Sequence, residues 1–241
     1  IKINGLHVKK NQESYSRQAI EFFKEKKMPS SPNTQMIRIL YREGVLPPPK
    51  NSRMLDVGCW DGGNMLYFAK AGFRVNGTDI TQKQLDLASS HFDRELMNPE
   101  SLRLLKNNRL NYDTDIFDLI VCWKTLYWAG SEAKVTELLG EMVRVLKPEA
   151  PIILSTFSNY TSHIYKSERI NSKQWRMPRY DGTRLEFCHF ENPLELIDIM
   201  ERLGLKDVRM GATSGEELQE PGKNNPEKSR SFRIFFGIKR K

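Results

Sequence analysis

A short apolar stretch, residues 54–57, runs directly into a loop that contains Gly58, Gly62 and Gly63. Residues 64–70 then follow a helical pattern, so this segment is predicted to be a strand, a glycine loop and a helix. Glycines in such a loop let the backbone approach a ligand closely and adopt positive φ angles. The first amide groups of the helix point into the same space and favour a polar or anionic ligand. The unit therefore predicts a ligand site at the end of the first strand.

Apolar runs and helical patterns alternate over most of the chain, which is typical of βαβ units around a mainly parallel sheet. The predicted strands are 54–57, 73–78, 102–105, 117–122 and 151–156, and the predicted helices are 64–70, 81–97 and 132–146. A further helix at 194–203, with Asn192 as its cap and Pro193 at its first position, precedes two closing strands at 206–210 and 231–238. The polar residues 215–229 between those strands predict an exposed hairpin loop.

Two regions depart from this alternation. Residues 12–45 favour two helices, separated by a turn in which Ser31 or Asn33 can cap the second helix. Three prolines at 47–49 end the region, so we expect a helical N-terminal cap at 1–50 and a main domain at 51–241. Residues 157–190 show no regular pattern and are rich in polar and aromatic side chains. A long unpatterned segment of this kind is usually functional or mobile, and we expect an insertion here.

Composition leaves several classes of partner open. Of 241 residues, 38 are Lys or Arg and 30 are Asp or Glu, which gives a net charge of +8. A polyanion such as RNA is compatible with this charge, although the basic residues are dispersed and are not interleaved with aromatic ones. Three scattered cysteines predict no disulfide framework and no metal site, and they favour the reducing cytoplasm. No apolar run approaches the roughly 20 residues that cross a bilayer, and the first ten residues lack the apolar core of a signal peptide.

Two carboxylates accompany the glycine loop. Asp56 precedes Gly58 within the first strand, and Asp79 ends the second strand. A carboxylate at the end of the second strand is well placed to accept hydrogen bonds from both ribose hydroxyls of an adenosine. The dinucleotide fingerprint Gly-x-Gly-x-x-Gly does not occur in this register, which weighs against a nicotinamide-dependent dehydrogenase.

The loop resembles motif I of the class I S-adenosylmethionine-dependent methyltransferases, an acidic residue followed by Gly-x-Gly-x-Gly. Asp56, Gly58 and Gly62 match this motif, whereas Trp60 replaces the middle glycine. Residues 75–80, 117–122 and the Arg-Val-Leu-Lys-Pro sequence at 144–148 are similar to further motifs of the family, in the family's order. Residues 149–151 depart from the two glycines that usually follow. The resemblance implies a Rossmann-like sheet of seven mostly parallel strands, with helices on both faces, an antiparallel last strand and a helical cap over the carboxyl ends of the strands.

The same resemblance implies roles for individual residues. Asp56 would order the loop and, through water, the amino group of S-adenosylmethionine. Gly58 and Gly62 would line the methionine portion of the cofactor. Asp79 would bind the ribose, and Ile80 would pack on the adenine.

Other contacts to the cofactor follow less directly from the family pattern. The family generally has an acidic residue after the third strand to meet the adenine amino group, and this chain has Asn107 and Asn108, whose amide oxygens can accept the same hydrogen bond. The remaining expected contacts to S-adenosylmethionine, and to its product S-adenosylhomocysteine, come from Cys59, Trp60, Cys122 and Trp123.

Fewer sequence features point to the residues that bind the methyl acceptor. Alignment supplies much of the catalysis of methyl transfer, but a hydroxyl or nitrogen nucleophile can also need a general base. His163 and His189 are the candidate bases, and a packing role is the alternative for each. Tyr127 and Trp128 are candidate walls of the acceptor pocket, and Tyr15 could close it.

The leading hypothesis is a methyltransferase that acts on an oxygen or nitrogen atom of a small molecule, because the family often uses an N-terminal helical segment and an insertion, here 157–190, to cover the substrate. The positive net charge keeps an RNA or protein methyltransferase as an alternative. The substituted Trp60 keeps a third reading open, a non-catalytic module that binds the cofactor. The sequence leaves the oligomeric state and the identity of the acceptor open.

Overall fold

The computed structural model describes residues 32–178, 183–213 and 232–241. Its strands, numbered in chain order, are β1 (Arg53–Val57), β2 (Arg74–Asp79), β3 (Ser101–Leu104), β4 (Leu119–Cys122), β5 (Pro151–Phe157), β6 (Glu168–Arg169), β7 (Gln174–Pro178), β8 (Arg184–Cys188), β9 (Leu205–Thr213) and β10 (Phe232–Lys239). Seven of them form one sheet in the order β3-β2-β1-β4-β5-β10-β9. The strands β1 to β5 pair in parallel, and β10 runs antiparallel to both β5 and β9.

Helices cover both faces of this sheet. They are α1 (Thr34–Arg42), α2 (Gly63–Lys70), α3 (Gln82–Arg94), α4 (Glu132–Val145), α5 (Ser162–Tyr165) and α6 (Pro193–Arg202). Successive strand residues point to opposite faces, so Met54 joins a buried cluster with side chains of α1, α2 and α3, while Leu55 joins a second cluster with α4 and α6. The Rossmann-like fold and the antiparallel last strand predicted from the sequence are thus confirmed.

Most predicted elements appear with small shifts in their ends. The side chain of Asn192 accepts a hydrogen bond from the amide of Leu194, with Pro193 at the first position of α6, as expected. The predicted strand 117–122 is shorter, because Phe117 only bridges to Leu146 before β4 begins at Leu119. The predicted loop 215–229 lies outside the described residues.

The described part of the N-terminal region consists mainly of α1. Asn33 caps this helix by accepting hydrogen bonds from the amides of Gln35 and Met36, and Met36 and Leu40 are fully buried against the sheet. The amide of Asn33 also donates to Oδ1 of Asn64, at the start of α2. Residues 1–31, and with them Tyr15, lie outside the described residues, so the full extent of the helical cap stays a prediction.

The expectation that residues 157–190 lack regular structure is wrong. The segment contains the short helix α5 and a separate antiparallel sheet in the order β6-β7-β8. Trp175 of β7 pairs with Phe187 of β8, and their side chains belong to an aromatic cluster beneath the small sheet. The period-two alternation of polar and apolar residues in β7 and β8 is typical of strands with one buried face, and it was the available signal.

Candidate cofactor and acceptor site

The adjacent strands β1 and β4 mark the point where the strand order of the large sheet reverses. From β1 the chain builds outward to β2 and β3, whereas from β4 it builds the other way to β5. Open α/β sheets bind ligands outside the carboxyl ends of the strands at such a point. Gly58 directly follows β1 and Trp123 directly follows β4, so the glycine loop borders this crevice.

Three residues of the glycine loop have left-handed backbone conformations. Gly58 has φ 78° and Gly62 has φ 79°, values that suit glycine, and Trp60 has φ 52°. The amides of Gly58 and Cys59 both donate to the carbonyl oxygen of Thr78, at 2.8 and 2.9 Å. The loop is therefore held against the end of β2 by backbone hydrogen bonds.

Helix α3 supports the loop from behind. A Cβ atom at Gly62 would lie 3.2 Å from Cβ of Ala88, which leaves little room for a side chain there. Buried His91 donates a hydrogen bond from Nδ1 to the carbonyl oxygen of Asp61, at 2.8 Å, and Oδ1 of Asp61 accepts from the amide of Gly63. Sequence reasoning missed His91, since a histidine within a helical pattern carries no distinguishing signal.

Asp79 lies at the end of β2, where the ribose was expected. Its Oδ2 accepts from the amide of Trp60 at 2.9 Å, and its Oδ1 accepts from the amide of Ile80 at 2.7 Å. Burial raises the pKa of this carboxyl to about 6, against the lowering effect of the backbone amides. A carboxylate oxygen can accept more than one hydrogen bond, so two ribose hydroxyls can still bind. Ile80 is 40% exposed next to it and offers an apolar surface to a flat ring.

Asp56 carries an unsatisfied buried atom. The residue is 1% exposed, and its Oδ2 has no hydrogen-bond partner among the described residues. Burial, followed by the negative charges of Asp79 and Asp61, raises the pKa of Asp56 to about 8. A buried carboxyl of this kind is stabilised by a cationic group or a bound water. These groups suit S-adenosylmethionine. Its amino group would lie near the carboxyl of Asp56, its methionine portion along the positive-φ glycines, and its adenosine at Asp79 and Ile80.

The other residues expected at the cofactor have mixed surroundings. The thiols of Cys59 and Cys122 are buried in the two hydrophobic clusters, and burial raises the pKa of both. Any contact that they make to the cofactor therefore comes from their backbone. The side chain of Trp123 is also buried, and its carbonyl oxygen faces the hydroxyl of Thr125.

Asn107 and Asn108 form a tight turn after β3, with φ angles of 51° and 54°. The amide nitrogen of Asn108 donates to Oε2 of Glu137 on α4, and the side chain of Asn107 is exposed. Neither observation identifies Asn107 or Asn108 as an adenine-binding residue, so that role stays a prediction.

Candidate residues for the acceptor lie around the end of β5. The ring of His163 stacks on Phe157 with 4.6 Å between the centroids, and its Nδ1 lies 3.1 Å from Oγ1 of Thr161. Half-buried Trp128 lies edge-on to His163 at 6.4 Å. Tyr127 stacks on Phe157 at 3.8 Å and is only 4% exposed. Tyr127 is thus packed within the aromatic cluster, and its role at the acceptor pocket stays a prediction.

His189 makes contacts that favour a structural role. Its Nε2–H donates to Oδ1 of Asn159 at 2.9 Å, and the same oxygen accepts from Arg233 of β10 at 2.8 Å. Burial, and then the positive charges of Arg233 and Arg169, lower the pKa of His189 to about 4. The imidazole is uncharged at neutral pH and ties the end of β8 to β10.

The described ranges show no metal site, since no group of three or more of their His, Cys, Asp and Glu side chains is arranged to hold a metal ion. The three cysteines are free and buried. None of the helices in these ranges is long and apolar enough to cross a membrane.

Comparison with known proteins identifies the family. Residues 28–209, well over half of the chain, match the family model described as a methyltransferase domain. The chain therefore belongs to this family, and it is a class I S-adenosylmethionine-dependent methyltransferase.

Individual relatives are distant. The chain is 26% identical over 182 residues to a ubiquinone biosynthesis O-methyltransferase of Pseudoalteromonas translucida, an alignment that covers 76% of this chain and 75% of the relative. It is 26% identical over 160 residues to a protein of the same name from Coxiella burnetii, with 65% and 64% covered. A solved SAM-dependent methyltransferase of Methanosarcina mazei has a TM-score of 0.62 at 19% identity, with 80% of this chain and 94% of that chain covered.

Proposed function

We propose that this enzyme methylates an oxygen or nitrogen atom of a small-molecule acceptor, which binds between the glycine loop and the segment 157–190. The observation that carries the proposal is the half-buried pair Trp128 and His163, which lies at the edge of the packed cluster of Tyr127, Phe157, Phe187 and Phe232. A largely apolar pocket with a few polar groups is the usual site for a small molecule. Two relatives named as O-methyltransferases favour oxygen over nitrogen as the acceptor atom.

His163 is the proposed general base. When its Nδ1–H donates to Oγ1 of Thr161, Nε2 is the nitrogen that would take the proton from the acceptor. Stacking on Phe157 holds the plane of the imidazole. S-adenosylmethionine, when bound, supplies the electrophilic methyl group of a sulfonium. The protein then has to align the acceptor in line with that methyl group and exclude competing water.

The direct test is methyl transfer from radiolabelled S-adenosylmethionine to defined acceptors. Phenols, catechols and primary amines are offered in parallel with total RNA and with unfolded protein. The proposal predicts label in one of the small-molecule classes and none in RNA. Label in RNA or protein alone would contradict it. An Asp79→Ala variant, which lacks the ribose-binding carboxylate, controls for transfer that does not depend on the site.

A basic groove supports RNA as a second candidate acceptor. A cavity of about 720 Å³ beside the edge strand β3 is lined by Arg103, Lys106, Arg109 and Arg144 around Tyr112, and none of the described residues that line it is acidic. Phosphate contacts of this kind produce binding that falls steeply with salt. Loss of RNA binding as the salt rises from about 50 to about 200 mM would support this candidate. Weaker RNA binding by the double variant Lys106→Ala/Arg109→Ala would support it as well. No measurable binding at low salt would remove it.

We also propose a cytoplasmic location, on the basis of the cysteines. Cys59, Cys122 and Cys188 are free thiols, as is usual in a reducing compartment. Fractionation of cells with an antibody against the protein tests this location, and recovery from an oxidising compartment would contradict it.

A further inference from the structure

Thr125 occupies the crevice between β1 and β4. It lies two residues after Trp123, in the segment that links β4 to the 3-10 turn Leu126–Ala129, and it is half-buried. Its hydroxyl donates to the carbonyl oxygen of Trp123 at 3.1 Å and faces the carbonyl oxygen of Gly58 at 3.4 Å. One hydroxyl proton is thus shared between two acceptors that come from opposite sides of the crevice.

The side chain of Thr125 also covers Gly58. A Cβ atom placed on Gly58 would overlap Cβ, Oγ1 and Cγ2 of Thr125. The two loops are therefore in contact at the place where the glycine loop exposes its backbone. A ligand that approaches the carbonyl oxygen of Gly58 has to displace this side chain.

The Thr125 hydroxyl leaves the hydrogen-bond acceptors around it poorly satisfied. The contact to Gly58 is at the long end of the hydrogen-bond range, and Oδ2 of Asp56, two residues earlier on β1, has no partner among the described residues. Two carbonyl oxygens thus share the one proton of the Thr125 hydroxyl. An ammonium group has three donors and a positive charge, so it matches this set of acceptors better than a hydroxyl does.

The backbone that carries Thr125 is fixed in place. Lys124 has φ 56° and Gly130 has φ 90°, so a left-handed residue stands at each end of the segment. The amide of Lys124 is anchored to Oγ of Ser155 on β5 at 2.8 Å. Leu126 and Tyr127 of the turn are buried, so the backbone is held and rotation of the Thr125 side chain about χ1 is the motion that would uncover Gly58.

We propose that Thr125 is an internal competitor for the amino-acid end of the cofactor, and that it sets the affinity for S-adenosylmethionine by closing the crevice in the cofactor-free enzyme. The inference rests on the cofactor placement argued above. A binding site that is closed for part of the time has an apparent affinity reduced by the fraction of open molecules. Weakening the closed state therefore tightens binding.

The test is calorimetric titration with S-adenosylhomocysteine and with 5′-methylthioadenosine, which lacks the amino-acid end. Thr125→Ala removes both the hydrogen bonds and the bulk, Thr125→Val removes only the hydrogen bonds, and Thr125→Ser removes only the methyl group. We expect about fivefold tighter binding of S-adenosylhomocysteine by Thr125→Val, the value for loss of one competing hydrogen bond, a gain at least as large for Thr125→Ala, and a smaller gain for Thr125→Ser. The affinity for 5′-methylthioadenosine is expected to be the same in all four proteins.

Unchanged or weaker binding of S-adenosylhomocysteine by Thr125→Ala would overturn the proposal, as would an equal change for both ligands. Stopped-flow association gives a second readout, in which Thr125→Ala is expected to bind faster than the parent. Urea unfolding of each variant verifies that it is folded. Because no acceptor is used, the result does not depend on which molecule is methylated. Failure of the parent protein to bind either ligand would instead refute the cofactor site itself.

Discussion

The amide of Trp60 donates a 2.9 Å hydrogen bond to Oδ2 of Asp79. This contact joins the glycine loop after β1 to the carboxylate at the end of β2, so the residue expected to bind the ribose also holds the loop. The left-handed conformation of Trp60, with φ 52°, accompanies this contact at the position where the family usually has glycine. Loop geometry and the affinity for the cofactor should therefore change together when either residue is altered.

Substitution of Gly62 tests the packing behind the loop. With φ 79° and a Cβ contact of 3.2 Å to Ala88, Gly62→Ala is expected to destabilise the protein by about 1–3 kcal/mol and to weaken cofactor binding. Gly140→Ala is the matched control, since Gly140 lies within α4 and its nearest neighbour there would be at 3.7 Å. The free energy of unfolding of Gly140→Ala should equal that of the parent or exceed it by up to about 1 kcal/mol. Urea unfolding measures both, and a Gly62→Ala protein as stable as the parent would contradict this account.

The raised pKa of Asp56 predicts binding of the cofactor that depends on pH. Below about pH 8 the buried carboxyl is protonated in the cofactor-free enzyme. A nearby ammonium group favours the carboxylate form, so binding should release a proton and should tighten as the pH rises from 6 to 8. Calorimetry in buffers with different ionisation enthalpies measures the proton directly. Asp56→Asn should bind without this proton release, whereas a pH-independent affinity in the parent protein would be evidence against the assignment.

The same group predicts how the stability of the cofactor-free enzyme changes with pH. The pKa of Asp56 is about 8 in the folded state and close to 4 in an unfolded chain. Between these values the folded state binds more protons, so its stability should fall as the pH rises through this window. Thermal unfolding from pH 5 to 8 is expected to show this decline, with a shallower slope for Asp56→Asn. Equal slopes for the two proteins would show that Asp56 is ionised in the folded state.

The two histidines of the acceptor side should respond differently to substitution. His163→Ala is expected to lower kcat by about 10²-fold or more while leaving the affinity for S-adenosylhomocysteine unchanged, because a general base acts on the acceptor. His189→Ala removes the contact to Asn159 and should lower the melting temperature, with little effect on kcat of the folded enzyme. Once an acceptor is known, steady-state kinetics and thermal unfolding separate the two. A large loss of kcat in His189→Ala, with only a loss of stability in His163→Ala, would contradict this assignment.

Local sequence patterns predicted the buried parallel strands and the glycine loop. The apolar strands β1, β2 and β4 and the loop at Gly58 and Gly62 are readable because buried parallel strands are continuously apolar and sharp loops need glycine. The small sheet around Trp175 and Phe187 was missed although its alternation is present, because polar residues in the segment outweighed it.

Contacts between distant residues could not be read in this way. Thr125 meets Gly58 across 67 positions of the chain, and His91 meets Asp61 across 30. The strand order of the sheet brings the first pair together, and the packing of α3 behind the loop brings the second. Neither residue differs in type or local pattern from an ordinary surface threonine or helical histidine.

The most direct test of the central claim is calorimetric titration of S-adenosylmethionine into the parent protein and into Asp79→Ala. Asp93→Ala serves as the control, since Asp93 is an exposed carboxylate on α3. The account predicts saturable binding by the parent and by Asp93→Ala, and a loss of about a hundredfold in Asp79→Ala, where hydrogen bonds from two ribose hydroxyls to a carboxylate are removed. Equal affinities in all three folded proteins would show that the cofactor does not bind at Asp79.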